Sequence, residues 1–506
     1  MKITTLQQQR TGATGYRTTG AALLDFNFKV SSYRNKSEVE IVNDFMKVFY
    51  EDKLIAMKFL FFIRDREEGL GERRIFRVII RTLAWSETEI IKAIIPIIAE
   101  YGRFDDLLEL FDTPLEENML EYLASQWNQD MKDMEANKSI SLLSKWLPSI
   151  NASEKRKEQA KKFIAYINLQ CNDTGKDVTE KDYRKALSSM RKYLDIVEKK
   201  MCANEWDQIK YENVPSRANL NYNAAFLRHD EERRREFLDQ VEKGEKKIHA
   251  GKLYPHDIVN KYTERGWGCR LKPLDTTLEQ LWKALPKKEI ANTLVVADGS
   301  GSMTSTIGNT QTTCLDVANA LAIYFAEHNK GEFNNKYITF SETPQLVKFN
   351  KTSSLHDKIA KCLCYSEVAN TNIEKVFDLI LQTAITNNLS QEEMPKNILI
   401  ISDMEFDNCV ECDTGYSPNK KLFKVIEETY NRYRYKLPKL VFWNVCSRTG
   451  TIPVKENDLG VALVSGFSTN IAEMIMNDKL DPLEILLDKL NTKRYEKVSE
   501  ILKKLL

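Results

Sequence analysis

Asp298, Ser300 and Ser302 stand at alternate positions directly after the apolar run Thr293-Leu-Val-Val-Ala297. One carboxylate and two hydroxyls offer only hard oxygen donors, the set that suits a divalent cation such as Mg2+ or Mn2+. The setting matters as much as the donors. A Leu-Val-Val-Ala run followed by a glycine-rich turn reads as a central parallel strand, and open α/β sheets bind ligands at the carboxyl ends of such strands. The plainer reading of the same residues is that Asp298 and Ser300 cap the helix that follows.

Other chemistries lack their parts. A strand-end aspartate also opens the haloacid-dehalogenase phosphatases, but these need a second carboxylate two residues on, where this chain has Ser300. A Gly-x-Ser-x-Gly elbow is absent, because Asp298 precedes Ser300 by two residues. There is no Walker loop and no dinucleotide fingerprint. Catalysis is therefore not expected. Nine cysteines, an odd number scattered over 506 residues without a secretion signal, read as reduced thiols. Cys409-Val-Glu-Cys412 has zinc or redox spacing and Cys362-Leu-Cys364 is a possible second pair, yet a zinc site needs four suitably placed ligands. His229 and His256 have no ligand-like neighbours at metal spacing and read as structural.

The elements around the strand at Thr293 alternate. Leu315 to His328 carries a helical stripe of Leu315, Ala318, Ala322, Phe325 and Ala326. Tyr337-Ile-Thr-Phe340 and Gln345 to Phe349, joined by Ser-Glu-Thr-Pro, read as a hairpin. An amphipathic segment from Ile373 to Ala384, a buried run from Asn397 to Ser402, a helix from Lys421 to Arg432 and strands at Leu440 to Val445 and Val461 to Val464 follow. Strands alternating with helices make an α/β, doubly wound, Rossmann-like sheet over residues 290 to 480.

The Asp298-x-Ser300-x-Ser302 pattern, in this setting, resembles the metal-ion-dependent adhesion site (MIDAS) of von Willebrand factor A (vWA) domains. In that family a threonine from a later loop and an aspartate after a later strand complete the site. The resemblance assigns these roles to Thr371, in Asn370-Thr-Asn372, and to Asp403, which closes the run from Asn397. It implies a Mg2+ or Mn2+ ion held by Asp298, Ser300, Ser302, Thr371 and Asp403, some through water. One position stays open for the carboxylate of a protein partner. Hydroxyl ligands add no negative charge, so the cation remains electrophilic toward that carboxylate.

Upstream of residue 290 the texture changes. Ile41 to Phe62, Arg73 to Leu83, Glu89 to Ala99, Pro114 to Met134, Lys155 to Asn168 and Asp182 to Met201 are apolar-periodic at helical spacing, which suggests stacked helix pairs. Thr18 to Phe26, the Phe62-Ile-Arg-Asp65-Arg-Glu-Glu-Gly-Leu-Gly71-Glu-Arg73 segment, Tyr101-Gly-Arg-Phe-Asp-Asp106, Lys145-Trp-Leu-Pro148, Val214 to Ala218 and Phe226-Leu-Arg-His229-Asp230 resemble signatures of a domain-of-unknown-function family. Its members join a helical, TROVE-like region to a C-terminal vWA domain. The Ro ribonucleoprotein autoantigens share that layout, and their helical rings bind small non-coding RNA. The resemblance spans residues 15 to 480 and implies a small structured RNA as partner.

The residues of the helical region bear on this directly. Lys155 to Met201 holds 13 Lys or Arg against 7 Asp or Glu, with Tyr166, Tyr183 and Tyr193 interleaved. Arg184, Lys185, Arg191 and Lys192 recur at helical spacing, so they are the candidate phosphate contacts. A solvated helix face is the alternative. The mixed-sign clusters Arg64-Asp-Arg-Glu-Glu68 and Glu72-Arg-Arg74 read instead as structural ion pairs and a helix start after Gly71. Overall, 74 basic residues against 73 acidic exclude a globally basic nucleic-acid binder but not a local patch.

The expected architecture is thus a mainly α, helical-repeat (TROVE-like, HEAT-like) region over residues 15 to 285. A vWA domain follows over 290 to 480, then a C-terminal helical segment over 481 to 506. No stretch of about 18 apolar residues occurs and the start lacks the apolar core of a signal peptide, so a cytoplasmic protein without a membrane partner is expected. The expected function is a non-enzymatic RNA-binding scaffold whose metal site takes a protein ligand. A protein-protein adaptor without RNA and a metal-dependent hydrolase are the alternatives.

Overall fold

The computed structural model describes residues 6–8, 14–16, 18–170, 177–266, 268–287, 292–308, 310–365, 372–404, 420–446, 461–467 and 481–506. A helical N-terminal region leads into a mixed six-stranded sheet. The strands are β1 (Thr293–Asp298), β2 (Lys336–Phe340), β3 (Leu346–Lys348), β4 (Asn397–Ser402), β5 (Lys439–Asn444) and β6 (Val461–Ser465). Their order across the sheet is β6-β5-β4-β1-β2-β3. All neighbours are parallel except β2 and β3, which form the expected hairpin with Ile338 beside Leu346.

That order has one reversal. From β1 the chain moves outward to β2 and β3, then returns to lay β4 on the other side of β1. A crevice between the carboxyl ends of β1 and β4 follows from this alone, because their connections leave in opposite directions. Every residue of β1 and β4 is buried, as strands covered on both faces require.

Alternation assigns the two faces. Leu294, Val296, Ile398, Ile400, Leu440 and Phe442 share one apolar cluster with Ile373, Val376, Phe377 and Ile380 of the helix Ile373–Thr386 and with Ile426 and Tyr430 of the helix Lys420–Arg432. The helix Cys314–His328 packs on β1, with Phe325 edge-on to Trp443 at 5.9 Å. The stripe read for this helix describes only part of it. It is buried nearly all round, and Leu315 on that stripe is only half-buried, because the helix Pro255–Tyr262 covers its other side.

The compact units do not follow a linear boundary near residue 285. One unit comprises Met1–Asp52, Pro215–Asn223 and Phe237–Thr492; the other comprises Lys53–Val214, Ala224–Glu236 and Lys493–Leu506. The reason is packing. The helix Ala22–Lys29 lies against β6, and Phe28, fully buried, belongs to the same cluster as the sheet core. Asn444 at the end of β5 donates to the Phe28 carbonyl at 2.9 Å, and Ser31 Oγ lies 2.8 Å from Ser465 Oγ at the end of β6. Asp25, in the Thr18 to Phe26 motif, accepts from Thr18 Oγ1 and from the Thr19 amide, which ties down the start of this helix.

The second unit is helical. Its segments include Lys53–Arg64, Arg74–Ser86, Thr88–Tyr101, Glu116–Glu135, Glu154–Gln170, Glu180–Tyr193 and Val197–Ala203. Two expected helices are each broken in two, at the extended Asp52 and at the left-handed Asp195 (φ 51°). The motif from Phe62 to Arg73 closes the helix Lys53–Arg64: the amides of Leu70, Glu72 and Gly71 donate to the carbonyls of Phe62, Ile63 and Asp65. A Cβ on Gly69 would stand 2.0 Å from the Phe62 carbonyl oxygen, so only glycine fits. Asp65, fully buried, accepts from Arg494 Nε at 2.8 Å and from Tyr495 Oη at 3.2 Å. Arg64 reaches Asp106 at 2.7 Å, and the Gly102 Cα leaves the space that the Asp106 carboxylate fills. In the first mixed-sign cluster Arg64, Asp65 and Glu67 sit in ion pairs with Asp106 and Arg494.

Truncating Phe28 to Ala in the full chain tests the division into units. The loss should be about 3–5 kcal/mol, typical of a buried phenylalanine. Hydrogen exchange should report it as faster opening at β5 and β6, with the helix Arg74–Ser86 keeping its protection.

Candidate metal centre

Asp298 is the last residue of β1 and Asp403 follows the last residue of β4, so neighbouring parallel strands deliver both carboxylates to the crevice. Both side chains are about 1% exposed. Asp298 Oδ1 accepts from the Ser300 amide at 2.8 Å, which bends the chain after the strand. The single turn Gly301–Thr304 follows, and Ser300 makes no side-chain cap to it. The Ser300 hydroxyl lies instead 3.0 Å from that of Ser302, both half-buried. The capping alternative thus accounts for one oxygen of Asp298 and for neither hydroxyl.

Ser402 is the residue that sequence reasoning missed. Its hydroxyl donates to Asp298 Oδ2 at 2.6 Å and accepts from the Met404 amide at 3.0 Å. It therefore links the end of β1 to the loop that carries Asp403. The available signal was a hydroxyl residue directly before a strand-end carboxylate. Met404 is held in the left-handed region (φ 61°), unfavourable for a non-glycine residue, while its side chain is buried in the sheet core.

Thr371 lies outside the described residues, as do Cys409 and Cys412. Its neighbour Asn372 caps the helix Ile373–Thr386 by accepting from the Lys375 amide at 3.0 Å. The possible second cysteine pair does not converge: Cys362 is buried, its thiol pushed up to about 12 by burial, whereas Cys364 is exposed. Among the described residues, no group of three or more His, Cys, Asp or Glu side chains is gathered for a metal. The donor chemistry here is two carboxylates and neighbouring hydroxyls, which fits a hard divalent cation and not a thiolate or imidazole metal. His229 stacks on Trp206 at 4.5 Å and His256 is buried between Tyr254 and Phe467, both in structural settings.

The basic face of the helical unit divides on inspection. Arg191 spends its guanidinium on the segment after Leu143, donating to the Ser144 carbonyl, the Leu147 carbonyl and Ser149 Oγ at 2.8–2.9 Å. Tyr183 is buried and donates to the Pro148 carbonyl. These two residues fix the Lys145-Trp-Leu-Pro148 motif and are not available to phosphate. Arg184, Lys185 and Lys192 are exposed. Lys185 and Lys192, seven residues apart, share a helix face with Arg184 beside them.

Residues 292–503 match a family described as a domain of unknown function, DUF7788, and residues 109–299 match a second one, DUF2828, described likewise. The two matches overlap at 292–299, on β1, so the candidate site and the strand that presents it fall within the first of them. An uncharacterized protein of Acanthamoeba polyphaga mimivirus is 29% identical over 520 residues, covering 94% of this chain and 86% of its own. The chain is similar to that viral protein along nearly its whole length, helical region and sheet together. No helix among the described residues is long and apolar enough to cross a membrane.

Arg191→Ala should destabilise the helical unit by about 2–3 kcal/mol, since three acceptors lose a charged donor. Lys185→Ala should fall within about 0.5 kcal/mol of the parent. Urea unfolding of both variants checks the contrast.

Proposed function

We propose that the sheet unit is a vWA-type, metal-dependent ligand-binding module and that the helical unit binds a small structured RNA, the protein acting as a non-enzymatic scaffold. The observation that carries the first half is the delivery of Asp298 and Asp403, both buried, to the one reversal in strand order, with Ser300 and Ser302 beside them. The strand order with a single antiparallel edge also supports the vWA reading. Asp298, Ser300, Ser302, Asp403 and, by resemblance, Thr371 would hold a Mg2+ or Mn2+ ion. Bound there, the ion supplies an electrophilic centre for the carboxylate of a protein partner. Ser402 keeps the Asp298 carboxylate turned into the site, and the burial of both aspartates excludes competing water from their far sides.

Calorimetric titration with Mg2+ and Mn2+ tests this half. Asp298→Ala should abolish specific binding, and Ser402→Ala should weaken it by about 10–100-fold, as loss of an orienting partner does. Equal affinity in the parent and Asp298→Ala removes the reading.

Support for RNA comes from the exposed Arg184, Lys185 and Lys192 together with the resemblance of the helical motifs. Replacing all three by Ala should weaken RNA binding and lower the salt slope of log K by about 0.7–0.9 per lost phosphate contact. Anisotropy titrations over a range of salt measure it. A parent that binds no RNA at low salt favours the adaptor without RNA.

A further inference from the structure

The sheet unit has a second hollow, away from the two aspartates. A cleft of about 1100 Å3 lies between the helix Thr276–Lys283 with the turn after it, the end of the helix Cys314–His328, and residues 351–358. Asn335, directly before β2, also lines it. Since β2 runs parallel to β1, the cleft opens at the end of the sheet opposite Asp298. Its volume is close to that of clefts that take small organic ligands.

Three elements lock its floor. Glu327, near the end of the helix Cys314–His328, accepts from Trp282 Nε1 at 2.9 Å and from Lys358 Nζ at 2.7 Å, one bond to each carboxylate oxygen. Trp282 and Lys358 are themselves buried. Glu279 is likewise spent: Tyr262 Oη and the His356 amide donate to one of its oxygens and the Leu355 amide to the other, at 2.8–3.0 Å. Both inner carboxylates are thus taken up by the protein's own donors. The mouth has the opposite balance. Lys283 stands 3.9 Å from Glu242, both of them exposed. Lys287, after that helix, and Lys351, after β3, are exposed and among the described residues make no ion pair. A lysine ammonium carries three donors and no acceptor, so the mouth calls for an anion. Leu274, 55% exposed, leaves a large apolar side chain open in the same cleft, with Leu285 also on its wall.

We infer that this cleft binds a small amphipathic organic anion, its acidic group between Lys287 and Lys351 and its apolar body against Leu274 and Leu285. Charge complementarity decides the class. A cationic ligand would meet four lysines, with Glu242 the one lining carboxylate not already bonded inside the cleft. A neutral apolar ligand would cover Leu274 but draw nothing from the ammonium groups. The site is independent of the metal reading and of the surface at Lys185, since it uses none of their residues.

Two fluorescent probes with the same rings separate the two halves of this claim: anilinonaphthalene sulfonate, an anion, and phenylnaphthylamine, which lacks the sulfonate. The full chain should bind the sulfonate saturably, and the neutral amine about tenfold more weakly. Lys287→Glu and Lys351→Glu together should weaken the sulfonate by about tenfold and leave the amine unchanged. Leu274→Ser should weaken both probes. All three positions are exposed, so these variants should unfold at the parent's temperature. Asp298→Ala should bind both probes as the parent does. A parent without saturable sulfonate binding overturns the site, as do equal affinities for the two probes or an unchanged sulfonate affinity in the paired lysine variant. Loss of sulfonate binding in Asp298→Ala assigns the probe to the metal centre and overturns it too.

Discussion

Two carboxylates buried at the ends of neighbouring strands repel each other and forgo hydration, so a fold that places Asp298 and Asp403 there must organise its surroundings around them. Much of the sheet unit can be understood from this constraint. β4 must return beside β1 for the pair to meet, which sets the reversal in strand order. The Ser402 hydroxyl must donate to Asp298, so something else must donate to Ser402, and the Met404 amide does so. Turning that amide inward puts Met404 in left-handed backbone at a cost of about 1–3 kcal/mol. The apolar cluster that buries its side chain offsets the cost. Strain here is the counterpart of order at the two carboxylates.

The same edge of the sheet shows how a polar strand end is treated when it holds no such pair. Asn444 and Ser465, closing β5 and β6, bond to Phe28 and Ser31 of the N-terminal segment and are sealed from solvent. The helical unit follows a different logic. Its glycines and aspartates interlock, with Gly102 making room for Asp106 and Gly69 letting the chain cross the end of a helix. Buried ion pairs of this kind contribute little net stability but penalise any arrangement that separates them. Their value is to specify one packing of the helices.

The strands and the main helices were legible because their signals are local: runs of Val, Leu and Ile for strands buried on both faces, and a stripe for each helix. Asp298, Ser300, Ser302 and Asp403 were legible for the same reason, being adjacent to those runs. What was not legible depended on distant partners. The helix Ala22–Lys29 is too short for its periodicity to say that Phe28 completes a sheet hundreds of residues away. Arg191 and Lys185 look alike in sequence, yet one is bound to three loop acceptors and the other is solvated. Ser402 was read as the end of a strand because nothing in its own neighbourhood announces that its hydroxyl serves Asp298. The breaks at Asp52 and Asp195 were hidden because the apolar pattern continues through both.

The pairing of Ser31 with Ser465 spans 434 residues, and this has a bearing on how the protein is made. At about 5–20 residues per second, roughly 20–90 s separate the synthesis of the two serines. Throughout that interval the helix around Phe28 has no sheet to cover, and its apolar face is open to other chains and to chaperones. The helical unit waits as well, since Arg494 and Tyr495, which close over Asp65, follow it by 429 and 430 residues. Neither unit can finish before its distant partner segment has been made, so the protein should depend more on chaperone protection than a linear array of domains of equal length.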